Sequence, residues 1–465
     1  MVFTLWYIIY KDKMSKQIIQ PNKYIELDIR DLGANGEGIG EYEGYTVFVP
    51  FALPSERVKV KVEHIKKNLV FAKLVDVISK SKSRQEVLCN RFAKCGGCDL
   101  LHLSYEEQLE YKKQMLSTSL SKMIGKVSVN KTVPSIPSIR YRNKIQIPFG
   151  KIGERVVLGF YKPKTHRIVS ITKCFLQDEV IDKLLNITLD FANENNFSVY
   201  ENGKGLLRYL VARYIDNGLF VTLVINANSI PNINKYYETL VANFNKVSLT
   251  LCINKAKTNV ILSNKIVEIN SNIEKTNYMG LNIDVHPLSF LQVNDYIAEK
   301  IYQKIIAYVK ERQVECVIDA YSGIGLLGAL ISKNSNAKII NIDIVKEAID
   351  DANKLVKINS LKGNIENICA DSKDVLQQIL DKNKTLKTLL VVDPPRKGLS
   401  DEVSSVINNL DSNLDLVYIS CNPATLARDL SRLSNFNIIS ITPYDMFAQT
   451  YHIETLVFFT KKSKI

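Results

Sequence analysis

Short segments in which apolar and polar residues alternate dominate residues 22–80. The clearest are residues 25–29, 46–50, 58–62 and 69–78, and a glycine-rich turn at residues 33–40 separates the first two. Alternation with a period of two places the apolar side chains on one face of a strand. Five short strands with such turns predict a small β-barrel of the oligonucleotide-binding type.

From about residue 294 the pattern changes to that of alternating strands and helices. Asn294 is a candidate N-cap for a helix, because Ile297, Ile301, Ile305 and Val309 follow it at helical spacing. Buried strands are predicted at residues 316–320, 338–343, 365–371, 386–393 and 416–420, with helices between them and further strands at 438–442 and 455–460. This order predicts a doubly wound α/β sheet of the Rossmann-like class.

The residues between these two regions are harder to interpret. An amphipathic helix is predicted at about residues 105–120, and a mixed, mainly β region at 141–284 with strand candidates at 208–214, 219–225 and 260–262. The 465 residues allow about three domains at roughly 150 residues each. We therefore expect an N-terminal extension at 1–21, in which Met14 is an alternative start, the barrel at 22–80, a central region at 81–284 and the α/β domain at 285–465.

The net charge of +13 is concentrated in two segments. Residues 57–84 contain nine Lys or Arg against two acids, and residues 140–167 contain eight against one. Several are separated by one residue, which places them on the same face of a strand, as in the surfaces that bind a polyanion. We therefore expect a nucleic-acid partner, although a solvated basic surface is the simpler alternative for either segment alone.

Membrane insertion and secretion are not expected. No apolar run approaches the roughly 18 residues that span a bilayer, and residues 2–10 are apolar but lack a basic leader and a small-residue cleavage site. We expect a cytoplasmic protein, without an obligate protein partner.

Three of the eight cysteines, Cys89, Cys95 and Cys98, are clustered, and Cys174 is a possible fourth member. Clustered cysteines without a secretion signal indicate a metal site before a disulfide framework. Spacing alone leaves zinc and an iron–sulfur cluster open. Cys252, Cys316 and Cys369 lie in apolar strand-like segments and are predicted to be core residues.

Cys421 lies between a predicted strand and a predicted helix, in the segment Ser420-Cys421-Asn422-Pro423. Such a junction exposes a thiol near helix N-terminal N–H groups, which favour the thiolate, so activation of this thiol is expected. A small buried apolar cysteine is the alternative.

Acidic residues follow successive strands of the α/β region. Asp319 precedes the turn Gly323-x-Gly325, Asp343 ends the second strand about twenty residues later, and Asp371 ends the third. An acid at the second strand end can bind both hydroxyls of a ribose, and one at the third can contact an adenine edge. The pattern favours S-adenosylmethionine over a dinucleotide, because a sulfonium ligand has no pyrophosphate to place.

Four ordered motifs resemble those of the RNA uridine-5-methyltransferase family. They are Ser289-Phe290-Leu291-Gln292-Val293-Asn294, Asp393-Pro394-Pro395-Arg396-Lys397-Gly398, Ser420-Cys421-Asn422-Pro423, and residues 446–454, which end in Glu454. With the cysteine cluster, they resemble the branch that modifies 23S rRNA and carries an N-terminal TRAM domain and an iron–sulfur cluster. The resemblance extends over nearly all of the chain from residue 22.

The resemblance implies a role for each matching residue. Cys421 would be the nucleophile and Glu454 the base that removes the C5 proton. The residues that match the cofactor and base pocket are Gln292, Tyr321, Asp343, Asp371 and Asp393, and those that match the ligands of a [4Fe–4S] cluster are Cys89, Cys95, Cys98 and Cys174. Residues 22–80 would be the RNA-binding TRAM barrel. Three positions depart from the family pattern: Ala448, Leu326 and Asp343.

The implied function is methyl transfer from S-adenosylmethionine to C5 of a uridine in RNA, with 23S rRNA the favoured substrate and tRNA the second candidate. An amino-group methyltransferase would carry an aromatic residue after Asp-Pro-Pro, where this chain has Arg396. A radical or sulfur-transfer enzyme would space its cysteines differently. A non-catalytic iron–sulfur RNA-binding factor would lack Cys421 or Glu454. Arg396 is a candidate for holding a phosphate or for stabilising its own loop.

Overall fold

The computed structural model describes residues 19–163, 165–361, 363–409 and 414–462. Most of the predicted N-terminal extension, with Met14, lies outside these ranges, as does Lys164 of the second basic segment. The chain divides into two compact units. The first contains the described residues up to Ala93 together with Gly97–Tyr111 and Gln449–Tyr451, and the second contains the other described residues.

The first unit contains a closed five-stranded barrel in the order β1-β2-β3-β5-β4. Its strands are β1 Tyr24–Leu32, β2 Gly38–Tyr42, β3 Tyr45–Val49, β4 Arg57–Lys66 and β5 Leu69–Ser79. Alternate residues such as Val58, Val60 and Val62 are fully buried inside the barrel, while Arg57 and Lys59 point outward. Closure leaves no unpaired edge, and the predicted barrel is confirmed.

The second unit contains two large sheets, of which the first is built from the central part of the chain. Its order is β12-β11-β10-β9-β6-β7-β8. The strands are β6 Lys144–Ile152, β7 Arg155–Tyr161, β8 Ile168–Ser170, β9 Leu207–Ile215, β10 Gly218–Ile225, β11 Lys246–Ile253 and β12 Ile266–Ser271. Helices α2 (Glu179–Glu194) and α3 (Ile233–Asn243) contribute to the core with one face of this sheet. A two-stranded hairpin follows, with β13 Thr276–Tyr278 and β14 Leu281–Ile283.

The prediction of a strand at residues 260–262 was wrong. The side-chain amide of Asn254 donates to the carbonyl oxygens of Val260 and Ile261, at 2.8 and 2.9 Å. These contacts take the place of a strand ladder, and Val260 is exposed. The strands predicted at 208–214 and 219–225 correspond to β9 and β10.

The second sheet is formed by the C-terminal part of the chain, with the order β17-β16-β15-β18-β19-β21-β20. Its strands are β15 Cys316–Asp319, β16 Lys338–Asp343, β17 Ile365–Cys369, β18 Thr388–Val392, β19 Leu414–Ser420, β20 Phe436–Tyr444 and β21 Glu454–Lys461. The first five are parallel, and β21 runs antiparallel between β19 and β20. The predicted doubly wound sheet is therefore confirmed.

Helices cover both faces of this sheet. They are α4 Asp295–Glu311, α5 Leu326–Asn334, α6 Lys346–Ile358, α7 Ser372–Lys382, α8 Asp401–Asn409 and α9 Pro423–Arg432. Helices α4 and α5 contribute to one hydrophobic core, whereas α7, α8 and α9 contribute to a second. The second half of helix α1 (Tyr105–Ile124) adds Leu116 and Leu120 to that second core. Asn294 is the N-cap of α4, as predicted, and its Oδ1 accepts a hydrogen bond from the Ile297 N–H.

Candidate active site

The chemistry-bearing residues lie at the carboxyl ends of the parallel strands. Asp319 ends β15, Asp343 ends β16, and Asp371, Asp393 and Cys421 follow β17, β18 and β19. Because neighbouring parallel strands end at the same edge of a sheet, these residues share one edge, where α/β proteins bind their ligands.

The glycine turn after β15 is held by the acid at the end of β16. Gly323 and Gly325 have positive φ angles of 55° and 70°, and the Gly323 N–H donates to Asp343 Oδ2 at 2.8 Å. Asp343 Oδ1 accepts from the Val345 N–H at 2.8 Å. A Cβ at Gly325 would lie 2.9 Å from Asn341 Nδ2. Asp343 therefore fixes the turn, and each of its oxygens retains a lone pair for a ligand hydroxyl.

A pocket opens beside this turn. Its lining residues are Phe290, Leu291, Gln292, Tyr302, Asp319, Tyr321, Ser322, Gly323, Ile324, Leu326, Leu327, Val391, Asp393 and Ile419. The empty space in this pocket, including the part open to solvent, is about 520 Å³.

Three of the five predicted cofactor-binding residues, Gln292, Tyr321 and Asp393, line this pocket. Asp343 and Asp371 are not among the lining residues. Asp371 instead caps helix α7, where its Oδ1 accepts from the Lys373 N–H at 3.1 Å. A ligand role for Asp343 and Asp371 stays a prediction.

Sequence reasoning did not assign Tyr302 to the site, and it used Asp319 only as one of the strand-end acids, without a ligand role. Nothing in the sequence distinguishes Tyr302 from the other aromatic residues of helix α4. Asp319 carried a usable signal, because an acid that ends a buried strand before a glycine turn must either be paired or face a pocket.

Burial raises the pKa values of two acids that line the pocket. Burial and the nearby Asp393 raise the pKa of Asp319 to about 7. Burial likewise raises the pKa of Asp393 to about 7. Near neutral pH each acid can therefore donate as well as accept hydrogen bonds.

Cys421 and Glu454 are neighbours because of the register between β19 and β21. In that antiparallel pair Ser420 is opposite Thr455, so the residue that follows β19 lies next to the residue that opens β21. Glu454 is only 3 % exposed, and its Oε1 has no hydrogen-bond partner within the part of the chain that the structure describes. Burial, followed by the charge of Asp393, raises the pKa of Glu454 well above its ordinary value. The carboxylate form of such a group is a stronger base than an exposed glutamate.

The expected activation of Cys421 is absent from this state of the protein. Burial, Glu454 and Asp393 together raise the pKa of the Cys421 thiol to about 11, although Arg396 acts in the opposite direction. The first helix N–H groups do not compensate, since the Asn422 side chain accepts from the Ala424 N–H and Pro423 has no N–H. The thiol is therefore protonated at neutral pH.

Arg396 brings a positive charge to this group of residues. Its electrostatic effect lowers the pKa values of Cys421 and Glu454. Burial and this same charge also lower the pKa of His452 to about 4, so the imidazole is neutral. The backbone carbonyl of Arg396 accepts from Asn422 Nδ2 and Thr425 Oγ1, both at 3.2 Å.

The barrel of the first unit carries a candidate RNA-binding face. Phe48, Phe71 and His64 are paired across β3, β5 and β4. The Phe48 and Phe71 rings stack with centroids 5.4 Å apart, and His64 stacks on Phe71 at 6.2 Å. Lys61 on β4 is paired with Lys73 on β5. Aromatic rings beside cations are typical of surfaces that bind single-stranded nucleic acids.

The predicted metal site receives no support from the structure. Cys89, Cys95, Cys98 and Cys174 are all half-buried, but within the described ranges no group of three or more Cys, His, Asp or Glu side chains could hold a metal ion. A metal site on these four cysteines therefore stays a prediction, and we derive no step through one. Cys252 and Cys316 are buried, as predicted, whereas the core prediction for Cys369 was wrong. Cys369 is exposed because β17 is an edge strand.

Among the described residues, none of the helices combines the length and the apolarity needed to cross a bilayer.

Known proteins resemble the chain over nearly its whole length. The TRAM domain profile matches residues 20–75, and the profile of the tRNA (uracil-5-)-methyltransferase family matches residues 104–462. A Clostridium tetani protein named as an uncharacterized RNA methyltransferase is 35 % identical over 463 residues, covering 96 % of this chain and 98 % of the relative. One from Caldanaerobacter subterraneus subsp. tengcongensis, named likewise, is 36 % identical over 441 residues, covering 93 % and 96 %.

A solved structure has the same fold. The Pyrococcus abyssi tRNA (uracil-54, C5)-methyltransferase, in complex with S-adenosyl-L-homocysteine, superposes with a TM-score of 0.74 at 26 % identity, covering 94 % of this chain and 99 % of that one. The chain belongs to the tRNA (uracil-5-)-methyltransferase family of S-adenosylmethionine-dependent RNA methyltransferases and carries an N-terminal TRAM domain.

Proposed function

We propose that the protein methylates C5 of a specific uridine in RNA through a covalent bond between Cys421 and C6 of the base. The observation that carries this proposal is the adjacency of Cys421, at the end of β19, to the buried carboxyl of Glu454, at the start of β21. A nucleophile beside a buried base of raised pKa is the pair that the reaction needs.

The chemistry requires both members of the pair. C5 of uracil is too weak a nucleophile to take a methyl group unaided. Addition of the Cys421 thiolate to C6 forms an enolate with electron density at C5. The sulfonium of S-adenosylmethionine supplies the electrophilic methyl group. Glu454 then removes the C5 proton, and the electrons of that C–H bond restore the double bond and expel the thiolate, which leaves readily.

The site residues have complementary roles in this scheme. Gln292 and Tyr321 bind the methyl donor, as do Asp343 and Asp371 at the ends of β16 and β17. Asp393 hydrogen-bonds the uracil edge. Arg396 favours the thiolate as the base enters, because its charge opposes those of Asp393 and Glu454. The uridine must be unpaired or turned out of its stack to reach Cys421.

The favoured substrate is 23S rRNA, on the resemblance of the whole chain to the rRNA-modifying branch, and the enzyme is proposed to act in the cytoplasm. A tRNA uridine is the second candidate, favoured by the likeness to the Pyrococcus abyssi tRNA (uracil-54, C5)-methyltransferase. A [4Fe–4S] cluster on the four cysteines also belongs to this proposal. It rests on the same resemblance alone.

The test is to incubate the protein with S-adenosylmethionine and RNA that contains 5-fluorouridine. Fluorine cannot leave as a proton, so the Cys421 adduct should persist under denaturing conditions, and Cys421→Ala should form none. Fragments of 23S rRNA and of tRNA, compared in parallel, identify the substrate. Absence of an adduct with either RNA, or an undiminished adduct with Cys421→Ala, would refute the mechanism.

A further inference from the structure

The carboxylate of Asp429 in helix α9 is completely buried and carries several hydrogen bonds. Its Oδ2 accepts from the Leu399 N–H at 2.8 Å and from the Tyr418 hydroxyl at 2.7 Å. Its Oδ1 accepts from Arg428 Nε at 2.8 Å. A buried carboxylate that accepts this many hydrogen bonds is held in one geometry, because losing any of them leaves buried charge uncompensated. None of the catalytic steps uses it.

Arg428 connects the same helix to the loop that follows β18. Its Nη2 donates to the carbonyl oxygens of Lys397 and Leu399, at 2.8 and 3.2 Å. Gly398, between them, has a φ of +76°, and a Cβ there would lie 2.4 Å from Asp429 Oδ2. The loop backbone therefore lies directly on the Asp429 carboxylate, and only glycine allows this approach.

The start of helix α9 contacts the same loop at a position nearer to Cys421. Asn422 and Thr425 both donate to the carbonyl oxygen of Arg396. Asn422 directly follows Cys421. Helix α9 and its N-cap Asn422 thus contact the loop at residues 396, 397 and 399, and the helix begins beside the thiol.

We infer that Asp429 is a positioning residue, which together with Arg428 clamps the loop of residues 393–399 onto helix α9 and so keeps Arg396 beside Cys421. This inference rests on the proposed role of Cys421. Asp429 itself touches neither the methyl donor nor the base. It acts through the loop that carries both Asp393 and Arg396.

The consequence of loosening the clamp follows from the charges around the thiol. Glu454, on β21, and Asp393, after β18, oppose ionisation of Cys421, and Arg396 is the cation that favours it. The charged and titratable groups around Asp429 are Arg428, Arg432, the Tyr418 hydroxyl and Tyr321. The contacts hold residues 396, 397 and 399, whereas Asp393 directly follows the last residue of β18, so loosening the clamp should move Arg396 more than Asp393 and raise the thiol pKa.

The test measures Cys421 alkylation in the full-length protein, without RNA or methyl donor. The rate of iodoacetamide labelling is followed from pH 7 to pH 10 by peptide mass spectrometry, which separates Cys421 from the other cysteines. In Asp429→Asn we expect the profile to shift to higher pH, with labelling about tenfold slower at pH 8, because one unit of thiol pKa changes the thiolate fraction tenfold. The matched control is Asp401→Asn. Asp401 is exposed and pairs with Arg432 at 2.7 Å, and Arg432 in turn lies beside Asp429.

A second readout separates positioning from simple destabilisation. Asp429→Asn should lower kcat for RNA methylation by at least about tenfold, as expected when reacting groups are misplaced, with the Kd for S-adenosylmethionine nearly unchanged. If Asp429→Asn does not fold, Arg428→Lys decides the question, because lysine keeps the charge but loses the planar fork that reaches two carbonyls. It should show the same alkaline shift to a smaller extent.

An unchanged labelling profile in the folded variants, with kcat equal to that of Asp401→Asn, would overturn the inference. A protein that labels as expected but methylates no uridine would contradict the proposed function instead, since the labelling needs no substrate.

Discussion

Replacement of Glu454 by glutamine should stop turnover and at the same time make the protein more stable. Glutamine has the size of glutamate but cannot take a proton. Loss of a general base lowers rates by about 10²–10⁴-fold, which corresponds to roughly 3–5 kcal/mol of activation free energy. Because Cys421 still adds to C6 and C5 is still methylated, the Glu454→Gln enzyme should remain bonded to ordinary uridine RNA and release almost no 5-methyluridine.

The expected gain in stability follows from the burial of Glu454. A carboxyl whose pKa is raised in the folded state makes the free energy of unfolding fall as the pH rises from its ordinary pKa to the raised one. Each unit of the increase is worth about 1.4 kcal/mol. Glu454→Gln should therefore be more stable than the native protein at pH 8, and this difference should vanish at pH 4.

Thermal unfolding resolves the effect, since 1 kcal/mol shifts the Tm of a domain of this size by about 2–4 °C. Glu366→Gln is the matched control, because Glu366 is exposed on β17, at the far edge of the same sheet. Turnover of Glu454→Gln within about threefold of the native rate would refute the assignment of Glu454 as the general base. A lower Tm than that of the control at pH 8 would refute the argument from burial.

Further predictions concern the cofactor turn, the protein core and the barrel. Asp343→Ala should weaken S-adenosylmethionine binding about 10–100-fold in calorimetry, because the Gly323 N–H loses its acceptor and the ribose a ligand; unchanged affinity would contradict this. Lys112→Met should lower the free energy of unfolding by about 3–5 kcal/mol in urea denaturation, since the fully buried Asp445 would lose the cation with which it forms an ion pair; a loss below 1 kcal/mol would show that the pair is dispensable. Phe71→Ala should weaken RNA binding by about 1–3 kcal/mol in a filter assay at fixed salt, with S-adenosylmethionine affinity retained; equal RNA affinity would exclude this face as an RNA contact.

The parts that could be predicted from sequence are those that local patterns determine. Asp319, Asp343 and Asp393 could be placed at strand ends because each follows a short apolar run bounded by turn residues, and parallel strands bring such ends together. The helix start at Asn294 was likewise readable, since an N-cap is a local contact.

The features that sequence reasoning missed or predicted wrongly depend on contacts made only in the folded chain. The strand predicted at 260–262 was wrong because the Asn254 side chain satisfies backbone groups that a ladder would otherwise pair. Cys369 was assigned to the core because its segment is apolar, but the order of strands in the sheet places it at an edge. The raised thiol pKa of Cys421 depends on Glu454 and Asp393, which no spacing rule brings to it. The Asp429 clamp joins residues whose contact only the folded chain reveals.

The place of β21 in the sheet has a consequence for biosynthesis. This strand lies between β19 and β20, yet it is the last of the sheet to leave the ribosome. Chains fold from the N-terminus as they emerge, so β15–β19, with the pocket and the thiol, are available before Glu454 exists. Until β21 inserts, the outer edge of β19 lacks its partner. The same insertion closes that edge and delivers Glu454, so under the proposed mechanism a nascent chain cannot finish a methylation cycle before β21 has been synthesised.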